Sequence, residues 1–148
     1  MRLLDSNVYI RAFREREFGL ELQEFHRAEL PGLVLSAVVA SELLIGVQTP
    51  DRERALRRGL VEPFRLRRRL HVPSWSTWDR ASAIDRRMRR REALRGRLQQ
   101  RSFFQDLLIA ASARELGATI ITLNLADFAL IAQFVDITFV APWPVRAV

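Results

Sequence analysis

The sequence contains no cysteine. Disulfide bonds and cysteine-ligated zinc sites are therefore excluded, and a reducing compartment is expected. No apolar run has the length of a membrane span, since the longest candidate, residues 32–47, carries Glu42 near its centre. Asp5 interrupts any apolar segment at the N-terminus, so no signal peptide is expected there. These absences predict a cytoplasmic protein that has no membrane partner.

Lysine is absent as well, so that all 24 basic residues are arginines and the net charge is +7. Seventeen of these arginines lie in residues 51–101 together with six acids, whereas the rest of the chain has seven arginines and 11 acids. A basic segment of this size favours the binding of polyanions, above all nucleic acid. The alternative interpretation is that these arginines form a solvated helical surface. Trp75 and Trp78 lie nearby and could stack on unpaired bases, or could be core or dimer residues.

The length of 148 residues and the hydrophobic content of 49% predict a single globular domain over residues 1–148. Apolar, β-branched segments alternate with longer amphipathic ones, which predicts an α/β fold with a mostly parallel central sheet flanked by helices. The predicted strands are a first strand that ends at residue 5, then residues 32–35, 70–72, 118–122 and 137–140. The predicted helices are a first one that begins at residue 6 or 7 and continues to 13, then residues 15–29, 37–48, 77–95 and 103–116, with an irregular helical stretch over 51–69 and a short helix within 124–134.

Helix boundaries follow from capping residues. Ser36, Asp51 and Ser76 are predicted N-caps, and the Ser102–Gln105 segment matches a capping box. Pro63 is predicted to break the helical stretch over 51–69. Gly117 is expected to end the last long helix. The predicted core stripe of the helix over 77–95 consists of Trp78, Ala81, Ile84 and Met88.

Three acids lie in otherwise apolar surroundings. Asp5 ends the first strand, Glu42 is the only charge in the helix over 37–48, and Asp106 is the only charge between Ser102 and Ala113. Each has a purely structural interpretation: Asp5 can cap a helix, Glu42 can be exposed or paired with an arginine, and Asp106 can be favoured by the helix dipole. Burial of an unpaired carboxylate is costly, so that at least Glu42 requires a partner, a metal or exposure.

Asn124 and Asp127 follow the strand over 118–122, at the same sheet edge as Asp5. Taken alone, Asn124 is typical of a turn and Asp127 of a cap. Together with the three isolated acids, they predict a carboxylate cluster, and clustered like charges repel unless a cation lies among them. Because all-oxygen ligands select hard ions, Mg²⁺ or Mn²⁺ is expected. Such a centre beside a basic surface indicates phosphodiester hydrolysis.

The ordered segments 4–8, 41–46, 106–113 and 122–128 together resemble PIN-domain ribonucleases, in particular the VapC toxins of toxin–antitoxin pairs. The resemblance implies an α/β PIN fold, Mg²⁺- or Mn²⁺-dependent endoribonuclease activity on RNA and a homodimer. It also implies a cognate antitoxin whose C-terminal segment blocks the active site.

The resemblance assigns site residues position by position. Asp5, Glu42 and Asp106 match the family's acids and would bind metal, with Glu42 binding the ion or orienting water. The fourth acidic position is Asn124 or Asp127, and Asp127 is the catalytic candidate there. An amide at Asn124 would weaken the charge of the site, which makes a second ion doubtful. Asn124 and Ser6, which replaces a commoner Thr, are the substrate-binding candidates.

Two other functions are compatible with the residues. A non-catalytic, basic nucleic-acid-binding module of the same fold would bind without cleaving, and would be unaffected by loss of Asp5 or Asp106. A phosphotransfer domain with Asp5 as nucleophile is disfavoured, because that chemistry usually needs a lysine near the phosphoryl group and the chain has none.

Overall fold

A computed structural model describes residues 1–144, and their central element is a five-stranded, all-parallel sheet. The strand order is β3-β2-β1-β4-β5, which confirms the predicted α/β fold with a parallel sheet. The strands are β1 (Arg2–Leu4), β2 (Leu33–Ser36), β3 (Leu70–His71), β4 (Thr119–Ile121) and β5 (Thr138–Val140).

Helices cover both faces of this sheet. They are α1 (Ser6–Arg14), α2 (Arg16–Glu29), α3 (Ala37–Gly46), α4 (Pro50–Leu56), α5 (Glu62–Leu66), α6 (Trp75–Arg89), α7 (Arg95–Leu98), α8 (Arg101–Leu116) and α9 (Leu125–Ile131). Short 3₁₀ turns at Leu30–Gly32 and Glu92–Leu94 and a π-helical turn at Arg57–Val61 join some of them.

The core lies on both sides of the central strands. Leu3 and Leu4 of β1 and Ile120 and Ile121 of β4 are essentially inaccessible to solvent. A parallel sheet buried on both faces requires continuous apolar strands, which is the pattern in these segments. Phe18, Leu22 and Phe25 line the buried face of α2, as their spacing predicts.

Several predicted caps are wrong by a few residues. The N-cap of α4 is Thr49 instead of Asp51, and the N-cap of α6 is Ser74 instead of Ser76. The Ser74 hydroxyl accepts a hydrogen bond from the Thr77 backbone N–H at 3.2 Å, so the helix begins earlier than predicted. Ser102 does not cap α8, whose N-cap is Gln100.

Pro63 does not break the chain's helical course, which contradicts the prediction. It lies in α5, directly after the π-helical turn at Arg57–Val61, and the backbone stays helical from α4 through this turn into α5. The predicted core stripe of α6 also needs correction. Ala81, Ile84 and Met88 are buried, but Trp78 is 42% exposed and Thr77 is buried instead.

The parallel topology places several polar side chains at one edge. Leu4 of β1 pairs with Ile121 of β4, so that the next residues, Asp5 and Thr122, leave the sheet side by side. Ser36 ends β2 at the same edge and leads into α3, which carries Glu42. This edge, at the carboxyl ends of parallel strands, is where open α/β sheets bind ligands. In residues 1–144, no helix is both long and apolar enough to cross a membrane.

Candidate active site

Asp5 is both the N-cap of α1 and a buried carboxylate at the sheet edge. Its Oδ1 accepts a hydrogen bond from the Ser6 backbone N–H at 2.7 Å. Its Oδ2 accepts hydrogen bonds from Asn7 Nδ2 at 2.8 Å and from the Thr122 hydroxyl at 2.7 Å. Burial raises the pKa of Asp5, and these donors act in the opposite direction. The capping role and the site role predicted for Asp5 are therefore compatible.

Glu42 lies on α3, close enough to Asp5 for the two charges to interact. Burial raises the pKa of Glu42 and the Asp5 carboxylate raises it further, whereas a hydrogen bond from the Ser6 side chain lowers it. Its Oε2 atom is buried and has no hydrogen-bond partner within residues 1–144. An arginine partner, one of the structural alternatives for Glu42, is not found in that part of the chain either. A buried carboxylate oxygen without a donor from the protein is a favourable position for a proton or a cation.

Asp106 lies in the second turn of α8 and faces the other two acids. Burial raises its pKa to about 8, with further contributions from the charges of Asp5 and Glu42. Asn124 Nδ2, 3.5 Å from Asp106 Oδ2, opposes this shift. Without a cation, Asp106 is therefore largely protonated at neutral pH, because three carboxylates cannot all be ionised at this edge at low cost.

Asn124 and Asp127 form the outer side of the site. Asn124 is the N-cap of α9, and its Nδ2 donates a hydrogen bond to Asp127 Oδ2 at 2.8 Å. The other oxygen of Asp127 forms an ion pair with Arg97 of α7. The amide of Asn124 thus lies between Asp106 and Asp127, and Arg97 already compensates the charge of Asp127.

The sheet edge therefore brings together all six residues that the sequence singled out: Asp5, Ser6, Glu42, Asp106, Asn124 and Asp127. As arranged in residues 1–144, no three acidic or histidine side chains enclose a position for a metal ion. The acids are close enough to raise each other's pKa without forming a ready ligand set. The donor chemistry and the unpartnered Glu42 oxygen nevertheless fit a hard divalent cation.

Three residues of the site were not assigned a role from the sequence. Asn7 and Thr122 hold the Asp5 carboxylate, and Arg97 pairs with Asp127. The signal for Asn7 and Thr122 is their position, since each is a polar residue just beyond the end of a buried central strand. Arg97 is one of many arginines in its segment, and no spacing in the sequence distinguishes it from the others.

Comparisons with known proteins identify the family and the fold. The sequence profile of the PIN domain matches residues 2–132. No curated protein gives a significant match. Among solved structures, the DNA-bound VapBC of Salmonella typhimurium is similar at 21% identity and a TM-score of 0.70, covering 95% of this chain and 98% of that one. FitAcB of Neisseria gonorrhoeae shares the fold at 22% identity and a TM-score of 0.65, covering 98% of this chain and 100% of that one. A toxin–antitoxin complex from Klebsiella pneumoniae shares it at 21% identity and a TM-score of 0.64, with the same two coverages. The chain therefore belongs to the PIN-domain family, whose members are in general nucleases that use divalent metal ions.

Proposed function

We propose that this protein is a metal-dependent endoribonuclease that hydrolyses RNA phosphodiester bonds at the edge formed by Asp5, Glu42 and Asp106. One observation carries the proposal: burial, together with the charges of Asp5 and Glu42, raises the pKa of Asp106 to about 8. Strongly perturbed carboxylates that share a sheet edge are typical of functional sites. Membership of a family of nucleases supports hydrolysis of nucleic acid.

Asp5, Glu42 and Asp106 would hold the ion, which we propose to be Mg²⁺ or Mn²⁺ because all their donor atoms are carboxylate oxygens. When bound, such an ion supplies charge stabilisation in the in-line transition state and a more acidic attacking water. We propose the Oε2 atom of Glu42, which has no hydrogen-bond partner within residues 1–144, as one of the ligand atoms.

The protein's own side chains would orient the reacting groups. The Ser6 N–H, Asn7 and Thr122 fix the Asp5 carboxylate, so that its rotamer needs no reorganisation. We propose that the Ser6 hydroxyl, which interacts with Glu42, contacts substrate between the acids. Asn124 is the second substrate-contacting residue that we propose.

Asp127 occupies the fourth acidic position in our proposal. Because Arg97 compensates its charge and Asn124 donates to it, Asp127 contributes less negative charge than an unpaired acid would. This supports a single metal ion over two.

We further propose that the protein is the toxin of a toxin–antitoxin pair in the cytoplasm, inhibited by a cognate antitoxin. The similar solved structures are toxin–antitoxin complexes that cover nearly the whole chain. We also propose that residues 1–148 form one domain and that it associates as a homodimer. The exposed apolar side chains Val72, Trp75 and Trp78 support a dimer contact, which sedimentation velocity would test.

The test of the nuclease is incubation of labelled total RNA with Mg²⁺, with Mn²⁺ or with EDTA, with Asp106→Asn as a parallel sample. Discrete fragments that require metal and disappear in the variant are the expected result. Full metal-dependent activity in Asp106→Asn would place the chemistry elsewhere.

A non-catalytic nucleic-acid-binding module is the second candidate. It is favoured by the amide at Asn124 and by the absence, within residues 1–144, of a ready three-ligand set. This module would bind RNA equally well in EDTA and in Mg²⁺, without fragments in either, and Asp5→Asn would bind like the wild type.

A further inference from the structure

The arginines of residues 51–101 differ in whether an acid compensates them. Arg54, Arg57, Arg65 and Arg89 each pair with an acid three or four residues earlier on the same helical stretch. Such exposed pairs compensate charge and add little stability. Within the part of the chain that the structure describes, Arg87 and Arg91 have no carboxylate at ion-pair distance.

Arg87 and Arg91 are nevertheless held in place against the residues that follow α9. The guanidinium carbons of Arg87 and Arg91 lie 5.5 Å and 4.6 Å from the ring centroid of Phe134. Arg87 Nη1 also donates to the Phe134 carbonyl at 3.3 Å, and Arg91 Nη1 donates to Gln133 Oε1 at 3.1 Å. The exposed guanidinium groups of Arg87 and Arg91, which have no carboxylate partner in the described part of the chain, thus both pack against the ring of Phe134. An anion that binds them loses less side-chain entropy than it would on free arginines.

A third arginine connects this pair with the candidate active site. Arg97 forms an ion pair with Asp127. Asn124 Nδ2 donates a hydrogen bond to Asp127 Oδ2 and lies 3.5 Å from Asp106 Oδ2. Asp127 lies in the first turn of α9, whereas Phe134 lies three residues beyond its last residue, Ile131. Arg97 therefore flanks the N-terminal end of α9, near the acids, and Arg87 and Arg91 flank its C-terminal end.

We propose that Arg87, Arg91 and Arg97, the arginine track, bind the backbone of single-stranded RNA on one side of the scissile phosphate. The proposal rests on the proposed function in that it takes RNA as the substrate. An acid cluster repels a polyanion, so a nuclease of this kind needs fixed positive charge beside the acids. In the RNA complex, Arg97 keeps its ion pair with Asp127 and binds a phosphate with its remaining N–H groups, while Arg87 and Arg91 keep their contacts with Phe134 and bind the next phosphates.

Contacts of this kind have a defined signature. They bind phosphates and no base edges, so they contribute affinity and salt dependence without sequence preference. Each arginine that neutralises one phosphate of a single strand adds about 0.7 to the slope of log K against log salt concentration. Loss of both Arg87 and Arg91 should then reduce the slope by about 1.4.

The test is binding of fluorescein-labelled oligouridylate to the full chain in EDTA, where no cleavage occurs, over a series of NaCl concentrations. The variant is Arg87→Gln/Arg91→Gln. The matched control is Arg54→Gln/Arg57→Gln, which removes the same charge from the same basic segment, but at arginines that already have acid partners. Arg87→Lys/Arg91→Lys keeps the charge and should restore most of the slope. Circular dichroism establishes that each variant folds.

We expect the smaller slope and the weaker binding in Arg87→Gln/Arg91→Gln and in neither of the other two variants. When Mg²⁺ is added, the same variant should cleave with a raised KM and little change in kcat. Equal slopes for the track and control variants would overturn the arginine track even if RNA is cleaved. If the track variant loses slope but the wild type cleaves nothing with metal, the arginine track stands and the proposed nuclease function fails.

Discussion

The Thr122 hydroxyl donates a 2.7 Å hydrogen bond to Asp5 Oδ2, although the two residues are 117 positions apart in sequence. Both side chains are buried, at the point where the neighbouring strands β1 and β4 end. The same hydroxyl oxygen accepts from the Asn124 backbone N–H at 2.9 Å. Thr122 thus connects the acid that ends β1 with the loop that carries the outer side of the site.

Replacement of Thr122 by Val keeps the shape of the side chain and removes this donor. The Asp5 carboxylate then lacks one of its hydrogen bonds in a buried position, so we expect a loss of about 1–3 kcal/mol in the free energy of unfolding. Urea denaturation at neutral pH measures it. Thr122→Ser retains the hydroxyl and is the control. A Thr122→Val variant that is as stable as the wild type, or no less stable than Thr122→Ser, would show that the hydrogen bond to Asp5 adds no net stability.

Asp106→Asn is expected to stabilise the metal-free protein. The pKa of Asp106 is about 8 in the fold and 3.8 as its ordinary value. Between these values the folded state binds more protons than the unfolded state, so stability falls as the pH rises. Asparagine cannot ionise and removes this loss, by an amount on the order of 5 kcal/mol at pH 8.

Thermal melts in EDTA from pH 4 to pH 9 would test this. The wild type should lose stability towards high pH relative to Asp106→Asn, with the difference smallest near pH 4. Asp136→Asn, at an exposed position, is the control and should follow the wild type. A wild type and an Asp106→Asn variant with the same pH dependence would mean that Asp106 is not held in the protonated form.

Asn124→Asp would place another negative charge beside Asp106 and remove the donor to Asp127. We expect a lower melting temperature in EDTA, because more carboxylates then share the edge without a cation. We also expect a larger stabilisation by Mg²⁺ or Mn²⁺, since a ligand that binds only the folded state adds about 2.7 kcal/mol at 100 times its Kd. Thermal melts with and without each ion measure both effects, with Asn124→Ala as the control that adds no charge. If Asp and Ala respond equally to the ions, Asn124 does not face the metal position.

The sequence was sufficient to predict the parallel sheet and the gathering of the acids. Asp5, Glu42 and Asp106 are recognisable because each is a lone charge in an apolar segment, and such a charge has few structural uses. The caps of α4 and α6 differ from those predicted because several Ser, Thr and Asp residues compete locally, whereas α8 begins after Gln100, which makes no side-chain cap hydrogen bond. Thr77 is buried instead of Trp78, and its hydroxyl donates a hydrogen bond to Glu115 of α8, a tertiary contact that the spacing along α6 does not encode. The ion pair between Arg97 and Asp127 depends on how α7 packs beside α9, which no local pattern encodes.

Acid sensitivity of the fold should depend on His26. This side chain packs edge-on against Tyr9 and Phe64, and burial lowers its pKa to about 4 from 6.5. Between these values the unfolded state binds the extra proton, so the contribution of neutral His26 is complete above pH 6.5 and is lost as the pH falls towards 4. A shift of this size corresponds to about 3 kcal/mol.

His26→Phe retains an aromatic ring at this position and cannot be protonated. Urea denaturation at pH 7, 5.5 and 4.5 should show a steep loss of stability in the wild type and a smaller one in the variant, because the remaining loss comes from other groups. At pH 7 the two proteins differ only by the packing of the ring and the weak contact with the Tyr9 hydroxyl at 3.4 Å. Parallel curves for the two proteins from pH 7 to 4.5 would show that His26 accepts its proton in the folded state as readily as in the unfolded one.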